Sequence, residues 1–202
     1  QHCHRSDMKA VGSAVTSRMS LFQRYLAVLR SAAHSGWLPL LFVVFSLSNV
    51  LALWMLQGAE PPDAVFAYSV AGVHGLFEKM GADGRQRYLL FAVADFLWIM
   101  PLYVVLLGSL ILCCVDLLKC DHTYVRWAER LALLPLVMCF FDIAETSCQA
   151  YLCVQHSADA LTDSQYVRVA RMGSASNGLK WSLLVVSVVV ILGLWGLSYV
   201  VS

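Results

Sequence analysis

Asp95, Asp142 and Glu145 stand inside stretches of chain that are otherwise apolar enough to cross a membrane. An uncompensated charge at such a depth costs about 2.5–3.5 kcal/mol on insertion scales, so residues of this kind mark proton relays, cation sites or counter-ion pairs. Asp142 and Glu145 are three apart and share one face of a helix. Asp95 lies seven residues into its stretch, Glu145 eight residues from the end of another, and Asn49 seven residues from the end of a third. Helix rise then places all three stretches' polar groups in one layer, roughly 10–12 Å below the same surface. Lys180 opens a fourth stretch at that surface and is the natural counter-charge. A helical side chain leans toward its own N-terminus, so Lys180 has two routes, inward to a carboxylate or outward to the headgroups. The cluster likewise has two readings. It is a working site open to that surface, or structural glue in which the carboxylates hydrogen-bond to Asn49, Trp98, Tyr103 or backbone.

These residues must be carried by membrane helices. The chain has 202 residues, 59% of them hydrophobic and 13% charged, with a mean hydropathy of +0.69, outside the range of soluble domains. Four apolar runs, at about 38–56, 88–113, 131–153 and 178–200, each supply close to the ~20 residues a spanning helix needs. They are apolar on all faces, which excludes the alternation of a β-barrel strand. The fold class is therefore all-α, a polytopic four-transmembrane-helix bundle. It divides into an amphipathic N-terminal segment, 1–36, and a membrane domain, 37–202. Both termini fall on one side, here side A, and the polar layer opens toward side B. Arg5, Lys9, Arg18, Arg24, Arg30, Lys119, Arg126 and Arg130 lie on side A, against Lys79, Arg85, Arg87, Arg168, Arg171 and Lys180 on side B. Eight against six favours side A as matrix or cytoplasm.

The segments between the runs carry their own patterns. Val15, Met19, Phe22, Leu26 and Leu29 recur at helical spacing with arginines between them, as in a basic amphipathic helix on a membrane surface. Pro61, Pro62 and Asp63 start, and Gly81 ends, a short interfacial helix whose apolar stripe is Val65, Phe66, Val73, Leu76, Phe77 and Met80. Thr162 and Gln165 have capping-box spacing, so the last helix begins near Asp163, and Gly173 and Gly178 are positions where it can bend. Arg85, Arg87, Arg168 and Arg171 gather at one interface and are the candidates for phospholipid headgroups, cardiolipin included.

Other chemistries find little footing. Cys113, Cys114, Cys139, Cys148 and Cys153 fall in or beside the runs, where free cysteine acts as a small hydrophobe. No metal-ligand spacing occurs beyond the terminal His2, Cys3 and His4, whose usual meaning is adventitious binding. His74 with Glu78 reads as an i, i+4 pair on a solvated face. No catalytic triad, phosphate loop or Glu-x-x-His pair is present, and a net charge of +1 gives no footprint for nucleic acid. No catalytic residue, metal or cofactor is assigned.

Gly84-Arg85-Gln86-Arg87-Tyr88, Ala94-Asp95-Phe96-Leu97, Pro101-Leu102-Tyr103, Leu134-Pro135-Leu136, Phe141-Asp142-Ile143-Ala144-Glu145, and Ser176 with Lys180-Trp181 together resemble a family of small, mostly uncharacterised four-span membrane proteins of bacteria. The resemblance covers residues 38–200. It implies that Asp95, Asp142, Glu145 and Lys180 act as one unit, and it brings no established activity. Thr146 departs from the pattern, where an Asn would follow the Glu.

Three functions follow from the sequence. The first is a non-catalytic accessory subunit of a multi-subunit membrane complex, of respiratory-chain or ATP-synthase type, in the mitochondrial inner membrane, with other subunits and phospholipid as partners. The Gln1 start fits a matured organellar chain. The second is a small ion- or proton-coupled transporter using the carboxylates as a vestibule. The third is an intramembrane enzyme with a carboxylate as general base.

Overall fold

Every regular element in the computed structural model is helical, and it describes residues 20–56, 66–118, 122–157 and 159–201. The expected features at His2–Cys3–His4, at Val15 and Met19, at Pro61, Pro62, Asp63 and Val65, and at Lys119 lie outside the described residues. The helices are α1 (Leu21–His34), α2 (Leu38–Met55), α3 (Val70–Ala94), α4 (Met100–Leu117), α5 (His122–Leu131), α6 (Leu134–Val154) and α7 (Ser164–Val201). A π-helical turn, Asp95–Ile99, joins α3 to α4. Four helices are long and apolar enough to cross a membrane: α2, the joined α3–α4, α6 with the end of α5, and α7.

Local chemistry sets the ends. Pro39, Pro101 and Pro135 each sit in the first turn of their helix, where a missing N–H is harmless. The π turn lies just ahead of Pro101, where a ring without a donor disturbs the regular ladder. Ser20 and Gln23 form a reciprocal capping box at the start of α1. Asp163, rather than the expected Thr162, caps α7: its carboxylate accepts from the Gln165 N–H at 2.8 Å, while the Thr162 hydroxyl turns back to the Asp159 carbonyl. Gly81 has φ 65° and ψ −175°, a conformation open to glycine alone, and it divides α3 into a first arm ending at Met80 and the long helix beyond.

Packing is layered along the bundle. Where α2 and α6 finish, on side B, Phe77 and Val73 of the first arm are buried among Leu56, Tyr88, Phe91, Leu152, Cys153 and Tyr166. The arm thus covers this end through its apolar stripe, although Phe66 stays 58% exposed. Met100, Tyr103, Val104 and Met138 form the middle layer. At the side A end, Leu26 and Leu29 of α1 pack on Ile111, Leu112, Val115 and Ala132. Tyr25 donates to the Ala132 carbonyl at 2.9 Å and Ser109 donates to the Leu29 carbonyl at 3.0 Å. The Tyr25 phenol, pushed up to about 12 mainly by burial with Cys139 adding to it, stays a neutral donor. The α3–α4 helix is central, with 61% of its most apolar window buried against 6% for those of α2 and α7. Those two helices therefore present their apolar faces outward.

Gly173 lies within the uninterrupted α7 helix. It brings α7 against its neighbours, because a Cβ there would lie 2.4 Å from the Tyr68 hydroxyl and 3.0 Å from Cys148 Cβ.

Candidate functional site

The polar layer is a chain of hydrogen bonds and ion pairs with Lys180 at its centre. The α7 helix aims Lys180 inward, and its ammonium lies 3.1 Å from Asp142 Oδ1 and 2.7 Å from Glu145 Oε2. The second oxygen of Asp142 accepts from the Tyr103 hydroxyl at 2.9 Å, and the second oxygen of Glu145 accepts from Gln149 Nε2 at 2.6 Å. Tyr88 donates in turn to the Gln149 carbonyl oxygen. Each carboxylate thus meets the ammonium on one side and a neutral donor on the other. Asp142 is 5% exposed and Glu145 fully buried, so these contacts replace water that the site excludes.

The spacing on each helix explains the assembly. Asp142, Glu145 and Gln149 follow one another at i, i+3 and i+7, a polar stripe on the face of α6 that meets α7. The α6–α7 pairing is the most extensive in the bundle. Gln149 and Tyr88 are absent from the residues expected on sequence. The signal for Gln149 was its position one turn beyond Glu145, whereas Tyr88 read as the apolar start of a span.

Beside the chain lies a cavity of about 310 Å3, at the lower end of the ~300–1,000 Å3 of ligand pockets. Asn49, Asp95, Asp142 and Lys180 form its polar wall, and Phe45 and Leu184 are among its apolar lining. Asp95, at the first position of the π turn, is 7% exposed. Asn49 donates to the Phe45 carbonyl at 2.8 Å. Trp98, an expected partner of the carboxylates, donates instead to the Ser48 hydroxyl at 2.9 Å. The structure therefore brings Asn49, Asp95, Asp142, Glu145 and Lys180 to one place.

The arginines assigned to headgroups have separate positions. Arg85 donates to the Phe77 carbonyl at 3.1 Å, in the last turn of the first arm before the break at Gly81. Arg87 is half-buried. Arg168 is exposed and donates to the Ser164 carbonyl, and Arg171 lines a shallow pocket with Tyr68 and Ser174.

His74 is buried rather than solvated: one ring nitrogen lies 3.0 Å from the Ser157 carbonyl, and the ring centroid is 4.5 Å from that of His156. Burial, with His74 and Arg85 adding to it and Glu78 opposing, holds the His156 imidazole below the usual histidine range. No group of three or more potential metal ligands occurs among the described residues.

No family model, curated protein or solved structure matches the chain. The functional reading rests on the geometry.

Proposed function

We propose that this chain is an integral membrane protein with a non-catalytic, accessory role in a multi-subunit membrane complex. The observation that carries this is the closed polar chain. Lys180, Asp142 and Glu145 are engaged with one another and with Tyr103 and Gln149, so the strongest chemical groups in the bundle serve its interior. A buried ion pair of this kind returns little net stability and instead fixes register, here of α7 against α6 and α4. The outward apolar faces of α2 and α7 then provide surface for lipid and for neighbouring subunits. We place the complex in an energy-converting membrane, the mitochondrial inner membrane, with the termini on the matrix side, following the side A excess of basic residues. The experiment is mild-detergent purification of the tagged full chain from its native membrane. Co-migration with a defined set of subunits at fixed stoichiometry is expected; recovery as a monomer alone overturns the proposal.

A carrier is favoured by one observation, the cavity with Asp95 and Asn49 on its wall. It predicts that Asp95→Asn abolishes cation-coupled flux in proteoliposomes, and equal flux in that variant removes it. The enzyme reading draws no such support, because Glu145 is fully buried and is not among the described residues lining the cavity.

A further inference from the structure

At the side A end, α1 and α5 leave a groove of about 540 Å3 between them. Arg126 and Arg130, one turn apart on α5, line one wall, and Arg30 of α1 lines the other beside an apolar floor of Phe22 and Leu26. Glu129, the groove's acidic residue, is ion-paired with Arg30. Three guanidinium groups against one carboxylate leave an excess of two positive charges. Arg130 stacks over the Trp127 ring at 4.2 Å, and that indole is 62% exposed, the placement of an aromatic anchor at a membrane interface. In the chain, the α5 wall follows the end of α4 at Leu117 and precedes the start of α6 at Leu134, and the α1 wall packs against the last turns of α4. Where those helices span a bilayer, this is headgroup level.

We propose that this groove binds the phosphate headgroup of an anionic phospholipid. Planar guanidinium forks match phosphate oxygens in pairs, which a lysine cannot do. The Phe22 and Leu26 floor commits the ligand to a lipid rather than free phosphate, since a soluble anion has nothing to place against it. The inference rests on membrane insertion and not on the accessory role, so its failure leaves subunit co-purification untouched.

The full chain is reconstituted into phosphatidylcholine vesicles containing phosphatidylglycerol or diphosphatidylglycerol, then extracted, and retained lipid is counted by native mass spectrometry. Wild type is expected to retain anionic lipid in preference to phosphatidylcholine, with no displacement by excess inorganic phosphate. Arg126→Gln with Arg130→Gln lowers retention about tenfold or more, at ~1 kcal/mol per basic residue. Glu129→Gln releases Arg30 and raises retention, a gain that misfolding does not produce. Lys79→Gln, at an exposed position on the other end of the bundle, leaves retention unchanged. Equal retention of phosphatidylcholine, displacement by inorganic phosphate, or undiminished retention in the Arg126/Arg130 variant overturns the proposal.

Discussion

Replacing Lys180 by Met keeps most of the side-chain volume and removes only the charge. The ammonium lies 2.7 Å from Glu145 and 3.1 Å from Asp142, and neither carboxylate has the solvent exposure to recover by hydration. Breaking a buried pair from one side costs about 3–5 kcal/mol, a large share of the ~5–15 kcal/mol that holds a folded domain. At roughly 2–4 °C per kcal/mol for a chain of this size, the midpoint falls by about 6–20 °C. The origin of the cost can be isolated. Lys180→Met with Asp142→Asn and Glu145→Gln removes all three charges together, and replacing a whole buried ionic group by neutral side chains is close to neutral. The triple variant is therefore expected to be more stable than the single one. Unfolding in mixed detergent micelles, followed by tryptophan fluorescence, measures all three proteins on one scale. A single variant as stable as wild type, or a triple variant no better than the single, refutes the argument that the cation neutralises this layer.

Three further perturbations test the fold around the site. Gly173→Ala forces a Cβ toward the Tyr68 hydroxyl and Cys148 Cβ and is expected to cost about 1–3 kcal/mol, whereas Gly178→Ala, whose Cβ meets nothing nearer than 3.9 Å, is near neutral in the same unfolding assay. Gly81→Ala meets no neighbour within 4 Å, so its cost of about 1–3 kcal/mol is backbone strain alone. It is expected to loosen the first arm of α3 and speed alkylation of Cys153, which hydrogen-bonds beneath that arm to the Arg85 carbonyl. For His156, the folded state keeps the imidazole neutral at pH values where the unfolded chain, near the ordinary value of about 6.5, takes up a proton. Its contribution is complete above that value and is lost as pH falls below it; His156→Phe should flatten the slope of stability between about pH 7 and pH 5, and an unchanged slope would falsify the linkage.

Much of the site was legible because depth and helix face are both arithmetic. Run lengths placed Asp95, Glu145 and Asn49 at one level, and a three-residue spacing placed Asp142 beside Glu145. The direction of Lys180 was not legible, since a lysine near a helix start reaches inward or outward with equal ease, and only the packed α6–α7 face decides. His74 was misread because its pairing with Glu78 on one helix says nothing of His156 and Ser157, which reach it from across the bundle. The close approach at Gly173 was not legible, because a sequence does not show what stands opposite a missing side chain. The first arm of α3 was readable as a helix stopped at Gly81, yet the burial of Phe77 required knowing what lies beneath it.

The π turn at Asp95–Ile99 has an effect on the whole central helix. Tyr88 and Asp95 are seven residues apart, close to two full turns, and share a face to within about 20°. Asp95 and Tyr103 are eight apart, which in an unbroken α-helix leaves them about 80° out of alignment. One extra residue wound into the π turn sets back everything after it by about 100°, bringing Tyr103 into phase with Tyr88 and Asp95. The two hydroxyls that close the ends of the Lys180 chain thus belong to one stripe written with unequal spacing. A fixed-period search along this helix sees Tyr103 on the wrong face, and deleting a single residue between positions 95 and 99 would turn the second half of the helix away from Asp142.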